Sequence, residues 1–370
     1  MASSSRLFQP LKVGRVTLQH RLAMAPMTRF RADANHVPLP SVKEYYEQRG
    51  AVPGSLLITE GTFITKRAGG YNFAPGIWSQ EQIAAWKEVT DAVHAKGSFI
   101  YVQLWALGRT ADPEVTKADG VELHSASAIP YAEGKPIPKP LTIDEIQSYV
   151  ADYAQAARNA IEAGFDGVEV HGANGYLPDQ FLQDTSNQRE DRYGGSIENR
   201  ARFPLEVVSA VVSAIGADRT AIRLSPWSTF QGMRMEDPIP QFTYLIRELR
   251  KLKLAYLHVT QAYSPDDSPL EGPAEKATFA VEAWDSEAPV IIAGGLQPDS
   301  ARALVDDEQK HRNVIAGFGR SWISTPDLPF RLKHGIPFAP HDYTKFYSAG
   351  APEGYIDYPF SEQFAKTLKL

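Results

Sequence analysis

The 370-residue chain contains no cysteine. That excludes disulfides, thiolate zinc sites and cysteine-ligated iron–sulfur clusters, so any redox chemistry must come from a bound organic cofactor or from a metal held by other ligands. Long apolar runs are also missing. Nothing approaches the roughly 20 apolar residues needed to span a bilayer, and the opening segment MASSSRLFQP lacks the apolar stretch of a signal peptide, so the expectations are no membrane partner and a cytoplasmic location. The ending Leu368-Lys369-Leu370 starts with Leu where a peroxisomal tripeptide has Ser, and reads as an ordinary tail. There is no Lys/Arg-rich block, and a formal charge of -6 gives no electrostatic footprint for nucleic acid. No Gly-x-Gly-x-x-Gly opens the chain, so a Rossmann cofactor domain is unsupported. No internal repeat, low-complexity tract or long polar linker divides it, and residues 1–370 are expected to form a single domain.

What is present is the composition of a folded enzyme: 43% hydrophobic, 22% charged and 11% aromatic residues. Short runs rich in β-branched residues recur through the chain at Leu22–Met27, Ser55–Thr62, Ser98–Leu104, Phe165–His171, Thr220–Ser225, Tyr256–Thr260, Val290–Gly294 and Asn313–Gly317. Their near-continuous hydrophobicity suits parallel strands buried on both faces, and helical periodicity lies between most of them. Gln80–Ala95 carries an apolar stripe of Ile83, Trp86, Val89 and Val93, and Gly97 follows it as a stop. Thr142 and Glu145 form a capping-box pattern for a helix running to Ala163. Eight β–α units predict an α/β fold, a single (β/α)8 TIM barrel. Leu11–Leu18 reads as a hairpin lid over its N-terminal end, and the long segments Ala106–Pro140 and Ser225–Pro240 should wall a pocket at the C-terminal face.

The fourth run ends in His171-Gly172-Ala173-Asn174-Gly175-Tyr176. His and Asn three apart on a turn can aim two donors at one oxygen, stabilising charge that develops on a carbonyl, and Tyr176 can deliver a proton from another direction. A His at a strand end is as often held by backbone as by a ligand. The C-terminal end of a barrel strand is where polar side chains read as catalytic. Thr28, Gln103 and Arg223 also interrupt apolar runs at strand ends, where they can pair with one another or with a ligand. Ala293-Gly294-Gly295 and Gly317-Phe318-Gly319-Arg320 place glycine backbone N–H groups and a cation where a barrel holds phosphate. No second His or carboxylate stands beside His171 at metal-ligand spacing, which disfavours a metal hydrolase and leaves the metal assignment at none.

Across nearly its whole length the chain resembles the old yellow enzyme family. The resemblance is carried in order by Ala25-Pro26-Met27-Thr28-Arg29, Ile58-Thr59-Glu60-Gly61-Thr62, Val102-Gln103-Leu104-Trp105, His171 to Leu177, Tyr193 to Phe203, Arg223-Leu224-Ser225-Pro226 and Gly319-Arg320. It implies noncovalent FMN, NADPH or NADH as hydride donor, and reduction of activated C=C bonds such as that of an enone, by a monomer or homodimer. It implies that Thr28, Gln103 and Arg223 bond the flavin ring and that Pro26, Met27 and Gly61 contact the ring or ribityl chain. Gly294, Gly295, Gly319 and Arg320 are implied to hold the phosphate, and Trp105 and Tyr347 to shape the substrate pocket. Arg stays cationic at any working pH and favours an anionic reduced flavin. With Asn174 the chain is similar to the His-x-x-Asn branch, in which His171 and Asn174 bind the carbonyl and Tyr176 is the proton donor. A ping-pong ene-reductase is the expectation. The alternative is a redox-neutral flavin-dependent isomerase or cyclase.

Overall fold

In the computed structural model, which describes residues 5–262 and 275–368, the eight expected runs close into a barrel of parallel strands. They are β1 (Leu22–Met24), β2 (Leu56–Phe63), β3 (Phe99–Trp105), β4 (Gly167–Gly172), β5 (Thr220–Leu224), β6 (Tyr256–Thr260), β7 (Val290–Ala293) and β8 (Val314–Phe318). Neighbours in sequence are neighbours in the sheet, and β8 closes on β1 through Ala316–Leu22, Gly317–Ala23 and Phe318–Met24. A helix follows each strand: α1 (Pro40–Arg49), α2 (Gln80–Ala95), α3 (Ile143–Glu162), α4 (Ile197–Ile215), α5 (Ile239–Arg250), α6 (Thr278–Trp284), α7 (Pro298–Ala303) and α8 (Leu328–His334). This is the (β/α)8 barrel that the sequence pattern predicts.

Several strand ends differ from the sequence expectation. β1 stops at Met24 instead of Met27: Ala25 gives the last ladder bond to the Phe318 carbonyl at 2.9 Å, and Pro26 has no N–H to continue it. β2 and β3 start one residue late because Ser55 and Ser98 turn their hydroxyls to the carbonyls of Val52 and Gly50, both at 2.7 Å. β4 begins at Gly167, not Phe165, and β8 runs from Val314 to Phe318, shifted one residue toward the C-terminus from the expected Asn313–Gly317. α2 has the expected bounds, and α3 ends at Glu162, one residue short of Ala163. Both helices begin in a complete capping box, Ser79 with Gln82 and Thr142 with Glu145, which satisfies backbone donors that the first turn leaves free.

Leu11–Val13 and Val16–Leu18 pair antiparallel as the expected hairpin, with Lys12 and Thr17 exposed and the apolar residues buried. Leu11, Val13, Val16 and Leu18 pack with Ile58, Tyr101, Tyr256, Ile291 and Ile315 into one apolar plug at the N-terminal end of the barrel. At the other end, the segment after β3 folds into a short helix, Pro113–Ala118, and a two-residue strand pair, His124–Ser125 with Lys139–Pro140. Among the described residues no helix is long and apolar enough to cross a membrane.

Truncating the plug should lower stability without touching the barrel mouth. Leu18 has 0% exposure, so Leu18→Ala is expected to lose about 2–5 kcal/mol in denaturant unfolding, with affinity for the flavin that the resemblance implies unchanged in a fluorescence titration. A fall in affinity at unchanged stability would contradict the separation.

Candidate active site

Along a strand alternate side chains face the same way, so each inward position repeats every second residue. Gln103 of β3, Glu169 and His171 of β4, Arg223 of β5 and Tyr256 and His258 of β6 therefore share the barrel interior. Register sets Gln103 opposite Glu169, and His171 and His258 on either side of Arg223. Glu169, with 0% exposure, accepts from Gln103 Nε2 at 2.8 Å, Tyr256 Oη at 3.1 Å and His258 Nδ1 at 2.9 Å. Burial pushes its carboxyl up, but His258, Arg223 and Gln103 outweigh burial and hold it below the ordinary range, so it is an anion. Burial wins at His258, whose imidazole is held below its usual value and is neutral. Burial, with Arg223 nearby, also holds His171 well below the ordinary imidazole range.

Beyond β4 the chain turns through two left-handed residues, Asn174 at φ 57° and Gly175 at φ 80°. Side chains from three segments hold all four of their backbone polar groups. Ser225 Oγ accepts from Asn174 N–H at 2.7 Å and Asp179 Oδ2 from Gly175 N–H at 2.9 Å. Gln231 Nε2 donates to the Asn174 carbonyl at 3.0 Å and Gln180 Nε2 to the Gly175 carbonyl at 2.7 Å. The turn sets the Tyr176 ring edge-on to His171, with centroids 4.7 Å apart, and edge-on to Trp105 at 5.0 Å. Burial raises the Tyr176 phenol far above its ordinary value, so it keeps its proton. Trp105 is itself buried, stacked on Phe63 at 4.9 Å. From Trp105 an aromatic path leads outward through Tyr71 and Phe30 to Tyr347, which is 57% exposed at the mouth.

The residues present fit a flavin mononucleotide. Several buried polar atoms in this layer have no protein partner, among them His171 Nδ1, Arg223 Nε and His258 Nε2, as expected where a polar ligand edge completes the bonding. β2 carries a bulge between Ile58 and Gly61, and a Cβ on Gly61 would lie 2.6 Å from the Trp105 ring, so only glycine fits. Pro26 is buried and Met27 and Thr28 are half-buried where the chain leaves β1. A Cβ on Gly319 would lie 2.9 Å from Met27 Sδ, which brings these two candidates together. Gly294, Gly295, Gly319 and Arg320 line one cavity at the ends of β7 and β8, joined by Gln297, Ser321 and His341. Arg320 Nη1 also donates to Tyr343 Oη at 2.5 Å.

The sequence model of the NADH:flavin oxidoreductase / NADH oxidase family matches residues 6–338. The chain belongs to that family. It is an NAD(P)H-dependent flavin oxidoreductase with the old yellow enzyme fold. The chain is similar to the chanoclavine-I aldehyde reductase fgaOx3 of Penicillium roqueforti, 56% identical over 99% of each chain. It is similar as well to the probable inactive reductase easA of Epichloe festucae var. lolii, at 53% identity over 98% of this chain and 97% of the relative. The crystal structure of Old Yellow Enzyme from Pichia sp. AKU4542 superposes with a TM-score of 0.90 at 39% identity, over 98% of this chain and 95% of that one.

Glu169, Tyr256 and His258 escaped the sequence reading, although each stands two residues from another inward side chain, which was the signal available. Asp179, Gln180 and Gln231 gave no such signal, because they act across a turn and between loops.

The protonation states can be read directly. Histidine-selective 15N NMR of the protein should show His171 still a neutral imidazole at the ordinary histidine midpoint near pH 6.5, where an exposed histidine is half protonated. A His171 resonance that titrates near 6.5 would contradict the burial argument.

Proposed function

We propose that this flavin oxidoreductase holds FMN noncovalently and reduces the C=C bond of an α,β-unsaturated carbonyl compound in a ping-pong cycle with NADPH or NADH, within one domain spanning residues 1–370. The observation that carries the reading is the pairing of a neutral, buried His171 and an exactingly held Asn174 with a separate, protonated Tyr176 at the ends of the barrel strands. Bound FMN supplies the hydride, taken from the nicotinamide, that goes to the β-carbon. Gln103 and Arg223, with Thr28, Pro26, Met27 and Gly61, hold the ring, and Gly294, Gly295, Gly319 and Arg320 hold the phosphate.

His171 and Asn174 donate to the substrate's carbonyl oxygen and stabilise the negative charge that gathers there. A neutral imidazole donates without giving up its proton, which suits binding rather than proton transfer. Tyr176 then protonates the α-carbon from the side opposite the hydride. Trp105 supports this wall by packing, and Tyr347 closes the mouth. An unsaturated aldehyde suits the site as well as an enone, and the aldehyde reductase among the relatives supports that class.

Tyr176→Phe should slow the enone half-reaction by about 10²–10⁴-fold while flavin reduction by NADPH changes little. His171→Ala or Asn174→Ala should raise the barrier of the enone step by about 2.7–4 kcal/mol. Stopped-flow of the two half-reactions separates these, and equal slowing of both by Tyr176→Phe would sink the assignment. One nicotinamide consumed per product is expected. Product formed without nicotinamide consumption would favour the redox-neutral isomerase.

A further inference from the structure

The loop after β5 carries left-handed residues of its own, Gln231, Gly232 and Arg234. Gln231 sits at φ 60° and ψ 35°, a conformation that a residue with a side chain keeps only where its surroundings impose it. Here the imposing group is Arg109, which is 1% exposed. Its Nη2 donates to the carbonyls of Gln231 at 3.1 Å and Gly232 at 3.4 Å, while Nη1 faces the carbonyls of Ile129 at 3.3 Å and Pro130 at 3.4 Å. One planar fork, still cationic at neutral pH although burial lowers its pKa to about 10, thus ties the long loop after β3 to the loop after β5.

Held in this way, Gln231 meets the turn beyond β4. A Cβ on Gly175 would lie 3.0 Å from Gln231 Cβ and 2.9 Å from Met233 Cγ, so the two turns interlock without spare room. The Gln231 amide donates to the Asn174 carbonyl at 3.0 Å, and the same side chain lies beside the Tyr176 hydroxyl. It bonds one member of the oxygen-binding pair and lies beside the proton donor.

We infer that Gln231 is a positioning residue that aligns Asn174 and Tyr176 with each other, and that Arg109 is the buried cation that holds Gln231 in place. This rests on the roles given to Asn174 and Tyr176 under the proposed function. Gln231→Leu keeps most of the volume and removes the amide; Arg109→Lys keeps the charge and removes the fork.

Two readouts on the full chain test it. In hydrogen-exchange mass spectrometry of the protein without FMN, Gln231→Leu should speed exchange of the amides at Asn174 and Gly175 by about tenfold, as their hold loosens. In the FMN-loaded enzyme, reduction by NADPH should stay within about twofold, while oxidation by 2-cyclohexenone slows about tenfold with a larger solvent isotope effect. Arg109→Lys should reproduce both changes, and the double variant should be no slower than Gln231→Leu alone, since both act through one contact. Wild-type exchange at 174 and 175, or equal slowing of the two half-reactions, would overturn the inference. Should Tyr176→Phe leave the enone step unchanged in the same assay, the proposed function itself fails, and the exchange result still decides whether Gln231 holds the turn.

Discussion

A carboxylate buried inside the barrel constrains everything around it. Removing a charge from water costs on the order of several kcal/mol unless partners are placed to offset it. Glu169 is offset by three donors from three other side chains, with the Arg223 guanidinium nearby. Each partner is fixed in turn. Gln103 must turn its amide nitrogen inward, so its oxygen faces away from Glu169. His258 must place Nδ1–H on the carboxylate, which leaves Nε2 as an acceptor. Arg223 has a counter-charge on one side, and its Nε lacks a protein partner. One residue, chosen two positions before His171, thereby orients the donors and acceptors of the whole polar layer.

Above that layer, precision comes from tying loops to one another. The turn at Asn174 and Gly175 has all four backbone groups taken by side chains, and its neighbours are held by a network reaching the loops after β3 and β5. The C-terminal segment is anchored similarly. Arg29 donates to the Gly354 carbonyl at 2.7 Å, Arg31 to that of Ala351 at 3.0 Å and Arg49 to that of Tyr355 at 3.0 Å, while Tyr355 stacks on Tyr45 at 4.1 Å. Buried arginines are used here as multi-pronged donors to carbonyls rather than as partners of carboxylates. The result carries Tyr347 to the mouth and leaves its ring open to solvent.

The barrel was legible in the sequence because buried parallel strands need continuous hydrophobic runs, and eight of them alternated with helical stripes. The ends of those strands were less legible, since Ser55 and Ser98 cap by side chain and Pro26 ends a ladder by lacking a donor. His171, Asn174 and Tyr176 stood out because polar residues and glycines gathered at one strand end. Glu169 was hidden in the run Val168-Glu169-Val170, where parity was the clue. Arg109 and Gln231 had no local signal at all: 122 positions separate them in the chain, and only the fold brings them together.

In the proposed mechanism, one group of residues grips the carbonyl oxygen while Tyr176 delivers a proton from the opposite side. Reduction of a prochiral cyclic enone in deuterated water, with the product's label positions read by NMR, tests it most directly. Solvent deuterium is expected at the α-carbon, on the face opposite the hydrogen that the nicotinamide supplies to the β-carbon. Addition of both to the same face would contradict it.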